Sequence, residues 1–264
     1  MGQLQGKVAL ITGSGRGQGL AAAKRFAAEG AKIVINDLDE QSVNEALAAI
    51  RAAGGEAVGA LGDVSKTTDV QRVLAVAKEK LGGLDILYNN AGIGYSANKR
   101  FGVAMTDILH CTEDDWKRIL DINIGGVFLF CKYGIPMLIE RGGGVIINTA
   151  SIAALRGAAD AHAYTATKGA IVALTRALAV TYGPKGVRAN TICPGVIDTE
   201  MIHDTLIARN EIRTVLAKGT PVGRIGTAED IADVALFLAS DASRFINGEA
   251  IAVDGGLIHR VGVG

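Results

Sequence analysis

The sequence predicts an α/β fold: an open, doubly wound parallel sheet of about seven strands, in a single domain over residues 1–264. Three observations carry that expectation. Short β-branched runs alternate with longer helical patterns along the chain, the order of strand–helix–strand units. The runs are almost continuously apolar, as strands covered on both faces are. Seven are present rather than the eight of a closed barrel, and a glycine-rich turn follows the first.

The elements follow in order. Lys7–Thr12 (KVALIT) is the first strand, and an Ala-rich helix runs from about Gly17 to Glu29 with a stop at Gly30. Ala31–Asn36 (AKIVIN) is the second strand. Asp39 suits an N-cap, and its helix reaches Ala53 before Gly54-Gly55. Glu56–Leu61 is a weaker strand, followed by a helix over roughly Lys66–Lys80 that ends at Gly82-Gly83. Leu84–Tyr88 is the fourth strand. A long helix starts near Thr112, where Thr112-Glu113-Asp114-Asp115 has capping-box spacing with Asp in place of Glu. Gly144–Thr149 is the fifth strand, Ala161–Tyr182 a long helix, Val187–Ile192 the sixth strand and Ala250–Val253 a short seventh. No linker, repeat or composition shift divides them.

Composition bounds the function. A chain 49% hydrophobic and 20% charged can bury a substantial core. Its 27 basic and 27 acidic residues cancel, so no long-range field draws it to nucleic acid or an anionic membrane. The first residues lack the apolar segment of a secretory signal, and Gly6 breaks the myristoylation pattern. No run approaches the ~18 consecutive apolar residues of a membrane span. Cys111, Cys131 and Cys193 are far apart and form no CxxC pair, which suits a reduced, cytoplasmic protein. No His/Cys/carboxylate cluster has metal-ligand spacing, so no metal is expected.

Glycine is abundant, with 35 residues against only four prolines. Part of the excess lies in Thr12-Gly13-Ser14-Gly15-Arg16-Gly17-Gln18-Gly19, between the first strand and the first helix. Glycines there let the backbone turn with positive φ and approach a pyrophosphate, which the following helix N-terminus attracts. The spacing is Gly-x-x-x-Gly-x-Gly, neither the G-x-G-x-x-G fingerprint nor a triphosphatase loop. Steric needs alone also make such turns glycine-rich. Asp37 strengthens the cofactor reading. It ends the second strand, close to the ~20-residue separation expected of a ribose-binding carboxylate in a Rossmann-type sheet. A cofactor 2′-phosphate at 4 Å from it would meet repulsion of roughly 4 kcal/mol per charge pair. NAD is therefore expected over NADP, with Arg16 the opposing feature, since a guanidinium beside the turn offsets part of that repulsion.

The chemistry is read from three residues. Tyr164 and Lys168 stand four apart, on one face of a predicted helix. A tyrosine that exchanges protons near neutrality needs its pKa brought down from about 10. A nearby ammonium and an oxidised nicotinamide both favour the phenolate. Ser151 follows the fifth strand, at the sheet edge where ligands bind, and its hydroxyl could polarise a substrate oxygen. Taken singly, the pair also reads as an ordinary helix-surface contact, and the serine as a helix cap.

Together these residues resemble the short-chain dehydrogenase/reductase family from Lys7 to about Gly256. TGSGRGQG at 12–19 looks like its cofactor turn and Asn89-Asn90-Ala91-Gly92 like its NNAG segment. Asn123 in DINIGG, with Ser151, Tyr164 and Lys168, resembles its catalytic tetrad, and Pro194–Thr199 its nicotinamide-side segment. The resemblance implies a cofactor held by Gly13, Ser14, Arg16, Gly17, Gln18, Gly19, Asp37, Leu38, Asp63, Val64, Asn90, Ala91, Gly92, Pro194, Gly195, Val196, Ile197 and Thr199, together with Tyr164 and Lys168. It implies that Tyr164 exchanges a proton with the substrate oxygen during hydride transfer. Lys168 would lower the Tyr164 pKa and hold the nicotinamide ribose, Ser151 would orient the substrate, and Asn123 would support a relay water near Lys168. A homotetramer is also implied.

Several residues stay open. Gln18 stands where the family often has an apolar residue. The loop after Gly92, with Tyr95, Lys99, Arg100 and Phe101, either borders the substrate pocket or fills a subunit contact. His162 points away from Tyr164 at its offset, Cys193 reads as a buried small residue, and Trp116 as packing its helix start. A substrate lid is expected near 199–218, with Met201, Ile202, Leu206 and Val215 as contacts for a hydrophobic, alicyclic or steroid-like alcohol or ketone. The expectation is an NAD-dependent oxidoreductase interconverting a secondary alcohol and a ketone. The alternatives are an NADPH-dependent 3-oxoacyl-type carbonyl reductase and a non-catalytic cofactor-binding scaffold.

Overall fold

A computed structural model describes residues 2–95, 101–202 and 209–260 of the chain. All seven strands are present: β1 Val8–Thr12, β2 Lys32–Asp37, β3 Glu56–Leu61, β4 Ile86–Asn89, β5 Gly144–Thr149, β6 Val187–Pro194 and β7 Ala250–Val253. They form one parallel sheet in the order β3-β2-β1-β4-β5-β6-β7.

Helices cover both faces. On one face lie α1 (Gly17–Ala28), α2 (Glu40–Ala52) and, late in the chain, α8 (Ala228–Ala239); on the other lie α3 (Thr67–Leu81), α5 (Gly126–Glu140) and α6 (His162–Tyr182). Alternate side chains of a strand point to opposite faces. In β1, accordingly, Ala9 and Ile11 join Phe26, Leu47 and Leu236, while Val8 and Leu10 join Leu74, Phe130 and Ile171. All five β1 residues are buried, which is why the strand reads as a continuous apolar run.

Local chemistry sets the helix ends. Asp39 caps α2 by accepting from the Gln41 amide at 3.2 Å, and Gly82 closes α3 in the left-handed region at φ 87°. Thr112 caps α4 (Glu113–Leu120) by accepting from the Asp115 amide at 3.0 Å. A capping box, with both reciprocal bonds, occurs instead at Thr227 and Asp230 at the start of α8. There Arg224, foremost among its neighbours, holds the Asp230 carboxyl down at about 2.

Several sequence expectations shift. β4 begins at Ile86 rather than Leu84, and β6 continues to Pro194 rather than stopping at Ile192. The long helix after Thr112 is broken by a π-turn at Asp121–Gly125, which separates α4 from α5. Trp116, near the start of α4, is 36% exposed. The stretch Glu113–Glu140 is also long and apolar enough overall to cross a bilayer, a length missed when only consecutive apolar residues are counted. Its α5 half is a core helix, with Val127, Phe130, Ile135 and Leu138 buried against the sheet. The described elements in the region of the predicted lid are the short turn Glu200–Ile202 and α7 (Asn210–Gly219).

Candidate active site

The strand order reverses between β1 and β4, and loops leaving neighbouring strands in opposite directions open a crevice at their carboxyl ends. A cleft of about 1760 Å³ runs along that edge. This exceeds the roughly 300–1,000 Å³ of a single small-molecule pocket and leaves room for a dinucleotide plus a substrate.

At one end the turn after β1 is stitched to the segment after β4. Thr12 Oγ1 accepts from the amides of Asn90 and Ala91, both at 3.0 Å, while Asn90 Nδ2 donates to the carbonyls of Thr12 at 3.0 Å and Gly13 at 3.1 Å. Gly13 must be glycine here. Its φ is +60°, and a Cβ would lie 2.9 Å from the Ala91 Cα. A Cβ at Gly19 would fall on the Gly13 carbonyl oxygen.

Asp37 lines this end, 8% exposed, and its orientation is set by main chain. Oδ2 accepts from the Gly15 amide at 3.2 Å and Oδ1 from the Leu38 amide at 2.8 Å. Arg16 lies beside it, with Nη1 2.9 Å from Glu200 Oε2 and Nη2 3.8 Å from Asp39 Oδ2. The guanidinium thus faces two carboxylates.

The other end is made of side chains. Tyr164, half-buried in the cleft, and Lys168, 3% exposed, project from the first turns of α6. Lys168 Nζ donates to the Thr149 carbonyl at 2.8 Å and sits 5.5 Å from the centre of the Tyr164 ring. Ser151 accepts from the Ala153 amide at 3.1 Å, capping the short turn Ile152–Ala154. Its hydroxyl also stands by the Tyr164 phenol and favours the ionised form. Helix cap and site residue are therefore the same serine.

Burial sets the proton affinities. It pushes the Tyr164 phenol up to about 12, against an opposing effect of the Ser151 hydrogen bond. It pulls the Lys168 ammonium down to about 8. Taking the phenolate out of water is the largest influence on Tyr164, while one of the three Lys168 protons is given to the Thr149 carbonyl. The phenol is held protonated, which is the acid form.

Asn123 is fully buried within the π-turn. Its Oδ1 accepts from the Ile93 amide at 2.8 Å, and its Nδ2 donates to the Ile93 carbonyl at 3.0 Å and to Thr167 Oγ1 at 3.3 Å. The side chain therefore clamps the segment after β4 to α6. It does not line the cleft, although a Cβ on Gly92 would stand 3.1 Å from its Oδ1 and 3.5 Å from Lys168 Nζ.

Most of the expected residues meet in this cleft: Gly13, Arg16, Gly17, Gln18, Asp37, Leu38, Asp63, Val64, Asn90, Ala91, Gly92, Ser151, Tyr164, Lys168, Pro194, Gly195, Val196, Ile197 and Thr199. Besides Asn123, two do not. Ser14 turns its hydroxyl into the sheet, donating to the Ile11 carbonyl at 2.6 Å and accepting from the Asn36 amide at 3.1 Å, and Gly19 sits behind the turn. The loop after Gly92 does border the cleft: Tyr95 and Phe101 line it, with the Tyr95 ring 6.2 Å from that of Tyr164. Met201 and Ile202 line it too, whereas Val215 is 68% exposed and does not. Leu206, Lys99 and Arg100 lie outside the described residues. His162 has a structural part, accepting from the Ile108 amide at 3.0 Å through Nδ1. Cys193 is buried and its thiol pushed up to about 11 by that burial. Sequence reasoning missed the wall formed by Ala153, Arg156 and Asp160, which no motif marks.

The residues at the nucleotide end fit a dinucleotide. The α1 N-terminus opens at Gly17 with no side-chain cap on its first amides, and Gln18 Oε1 is buried without a hydrogen-bond partner. Among the described residues no group of His, Cys, Asp and Glu side chains could hold a metal ion.

A fold that binds nucleotides at its switch point, with a serine, a tyrosine and a lysine gathered across the cleft, defines a class. The chain belongs to the short-chain dehydrogenase/reductase family and is an NAD(P)-dependent alcohol dehydrogenase or ketone reductase. The family model described as enoyl-(acyl carrier protein) reductase matches residues 13–258. The meso-2,3-butanediol dehydrogenase of Serratia marcescens is 40% identical over 250 residues, 95% of this chain and 94% of that protein. The 2,5-dichloro-2,5-cyclohexadiene-1,4-diol dehydrogenase of Sphingobium indicum is 40% identical over 257 residues, 96% and 97% of the two chains. Among solved structures, a gluconate 5-dehydrogenase from Burkholderia cenocepacia in complex with NADP and tartrate superposes with a TM-score of 0.89 at 36% identity, covering 98% of each chain.

Proposed function

We propose that the chain is an NAD-dependent dehydrogenase of a hydrophobic or alicyclic secondary alcohol, with Tyr164 as acid and base. The observation that carries this reading is the convergence of Ser151, Tyr164 and Lys168 in one cleft whose far end holds Asp37. When bound, the nicotinamide accepts or donates the hydride and, oxidised, adds positive charge.

In the reducing direction the Tyr164 phenol, held protonated by burial, gives its proton to the substrate oxygen as charge develops there. Ser151 donates a hydrogen bond to the same oxygen. Lys168, fixed by the Thr149 carbonyl, presents its remaining protons toward the cofactor ribose. In the oxidising direction the phenolate is the base, so that direction gains with rising pH. Asn123 acts through position, holding the Ile93 segment and α6 at a set distance. Of the lid expected near 199–218, Met201 and Ile202 line the cleft and support that role.

Tyr95, beside the Tyr164 ring, and Phe101 and Met201 elsewhere in the lining give the cleft apolar surface, which supports an alicyclic substrate. Asp37 supports NAD, because its carboxylate, oriented by the Gly15 and Leu38 amides, can accept from both ribose hydroxyls. Arg16 favours the second reading, an NADPH-dependent 3-oxoacyl-type reductase, by placing a cation near the same ribose. Self-association into a homotetramer belongs to the first reading; the exposed rings of Phe128 and Phe245 favour it, and sedimentation velocity reads it directly. A panel of secondary alcohols, followed by NADH and NADPH absorbance, tests the main proposal. Faster turnover of alicyclic than of small polar alcohols with NAD is expected; equal turnover sinks the substrate class, and a strong NADP preference sinks the cofactor.

A further inference from the structure

We infer that Glu200 is a determinant of cofactor selectivity: it neutralises Arg16, the guanidinium beside the ribose end of the cleft that would otherwise bind a 2′-phosphate. The inference rests on the nucleotide end of the site proposed above.

Arg16 is the cation that the phosphate turn places next to Asp37, since Gly15, the residue before it, donates its amide to the Asp37 carboxylate. Guanidinium groups bind phosphate as paired donors and favour it strongly. Left alone, Arg16 would counter the repulsion that Asp37 imposes on a 2′-phosphate. It is not left alone. Nη1 donates to Glu200 Oε2 at 2.9 Å, and Nη2 lies 3.8 Å from Asp39 Oδ2. The two partners come from different segments: Asp39 at the start of α2, and Glu200 in the turn after β6, 184 residues along the chain. A 2′-phosphate reaching Arg16 would have to displace one carboxylate and accept the other two as neighbours. The ribose end then carries three carboxylates, Asp37, Asp39 and Glu200, against one guanidinium.

Glu200 is the partner that tertiary structure adds. Its side chain is 69% exposed, so changing it does not threaten the fold. Asp39 also caps α2, and its replacement would confound selectivity with helix stability.

The test uses the purified full chain and two adenosine probes, 5′-AMP and adenosine 2′,5′-bisphosphate, titrated by calorimetry for the wild type, Glu200→Gln and the double variant Arg16→Ala/Glu200→Gln. Glu200→Gln should improve the bisphosphate affinity relative to that of 5′-AMP by roughly three- to tenfold, the range of an exposed charge pair acting on a doubly charged ligand. The gain should shrink as salt rises and vanish in the double variant. An unchanged ratio in Glu200→Gln overturns the inference, as does a gain that survives loss of Arg16. Equal shifts for both probes overturn it too, because Glu200 would then act only by anchoring the lid. The wild-type preference between the probes reads the NAD proposal separately, so the two can fail independently.

Discussion

At the nucleotide end of the cleft the shape comes from main chain and the charge from exposed side chains. Gly13 admits the turn at φ +60°, while Arg16 and Glu200 pair at the surface with 32% and 69% of their side chains exposed. At the chemical end Lys168 and Asn123 are almost completely buried, and each hydrogen-bonds a backbone carbonyl. The first kind of site is cheap to retune, because surface charges change at little cost to folding. The second is not, because each buried polar group there is both a stability element and a reacting or positioning one. Evolution of substrate and cofactor preference on this scaffold is therefore expected at the first end and at the apolar walls, with the chemistry held constant.

That contrast can be broken by experiment, beginning with the largest effect. Tyr164→Phe should lower kcat by about 10²–10⁴-fold, the range of a general acid–base group, while NAD binding measured by calorimetry stays near that of the wild type. Retained turnover would remove the chemical end as described.

Lys168→Met separates charge from packing. The folded-state pKa of Lys168 is depressed to about 8 from its ordinary 10.5. The unfolded chain therefore binds the proton more tightly, and stability rises with pH between about 8 and 10.5. The full rise is about 3 kcal/mol, from ~1.4 kcal/mol per pKa unit. Denaturant titrations across that window should show the rise in the wild type and not in Lys168→Met.

Gly13→Ala should destabilise by about 1–3 kcal/mol, since it combines a left-handed backbone with a contact on the Ala91 Cα, and should weaken NAD binding as well. Tight binding with normal stability would contradict the assignment of the turn to the nucleotide. Asn123→Ala should cost about 1–3 kcal/mol by leaving the Ile93 amide and carbonyl without partners. If its role is positional, the loss of kcat should track the loss of stability, and Asn123→Gln should not restore it. The smallest expected change is Asp37→Asn, which should shift the ratio of kcat/KM for NAD and NADP toward NADP by roughly tenfold or less, through loss of one charge at the ribose.

Much of this was legible in the order of residues. Continuous apolar runs at a helix-separated spacing identify a doubly buried parallel sheet, and the β1 turn, Asp37 and the Tyr164/Lys168 pair are local patterns with local meaning. Contacts between distant segments are not written that way. Nothing in the sequence around Ser14 distinguishes a hydroxyl facing a phosphate from one bonded to the Ile11 carbonyl, because the choice depends on where Asn36 lies in β2. The wall of Ala153, Arg156 and Asp160 likewise exists only because the turn after β5 folds back beside α6.

What the sequence determined by itself, then, is the periodicity, the turn chemistry and the identity of the tyrosine and lysine, because these depend on neighbours within one strand or one helical turn. Tertiary structure alone decided that Asn123 clamps Ile93, that Tyr164 and Lys168 are buried in one cleft wall beside the Thr149 carbonyl, and that Arg16 meets Glu200. Desolvation and ion pairing act through space, and these partners come together only when the sheet is assembled.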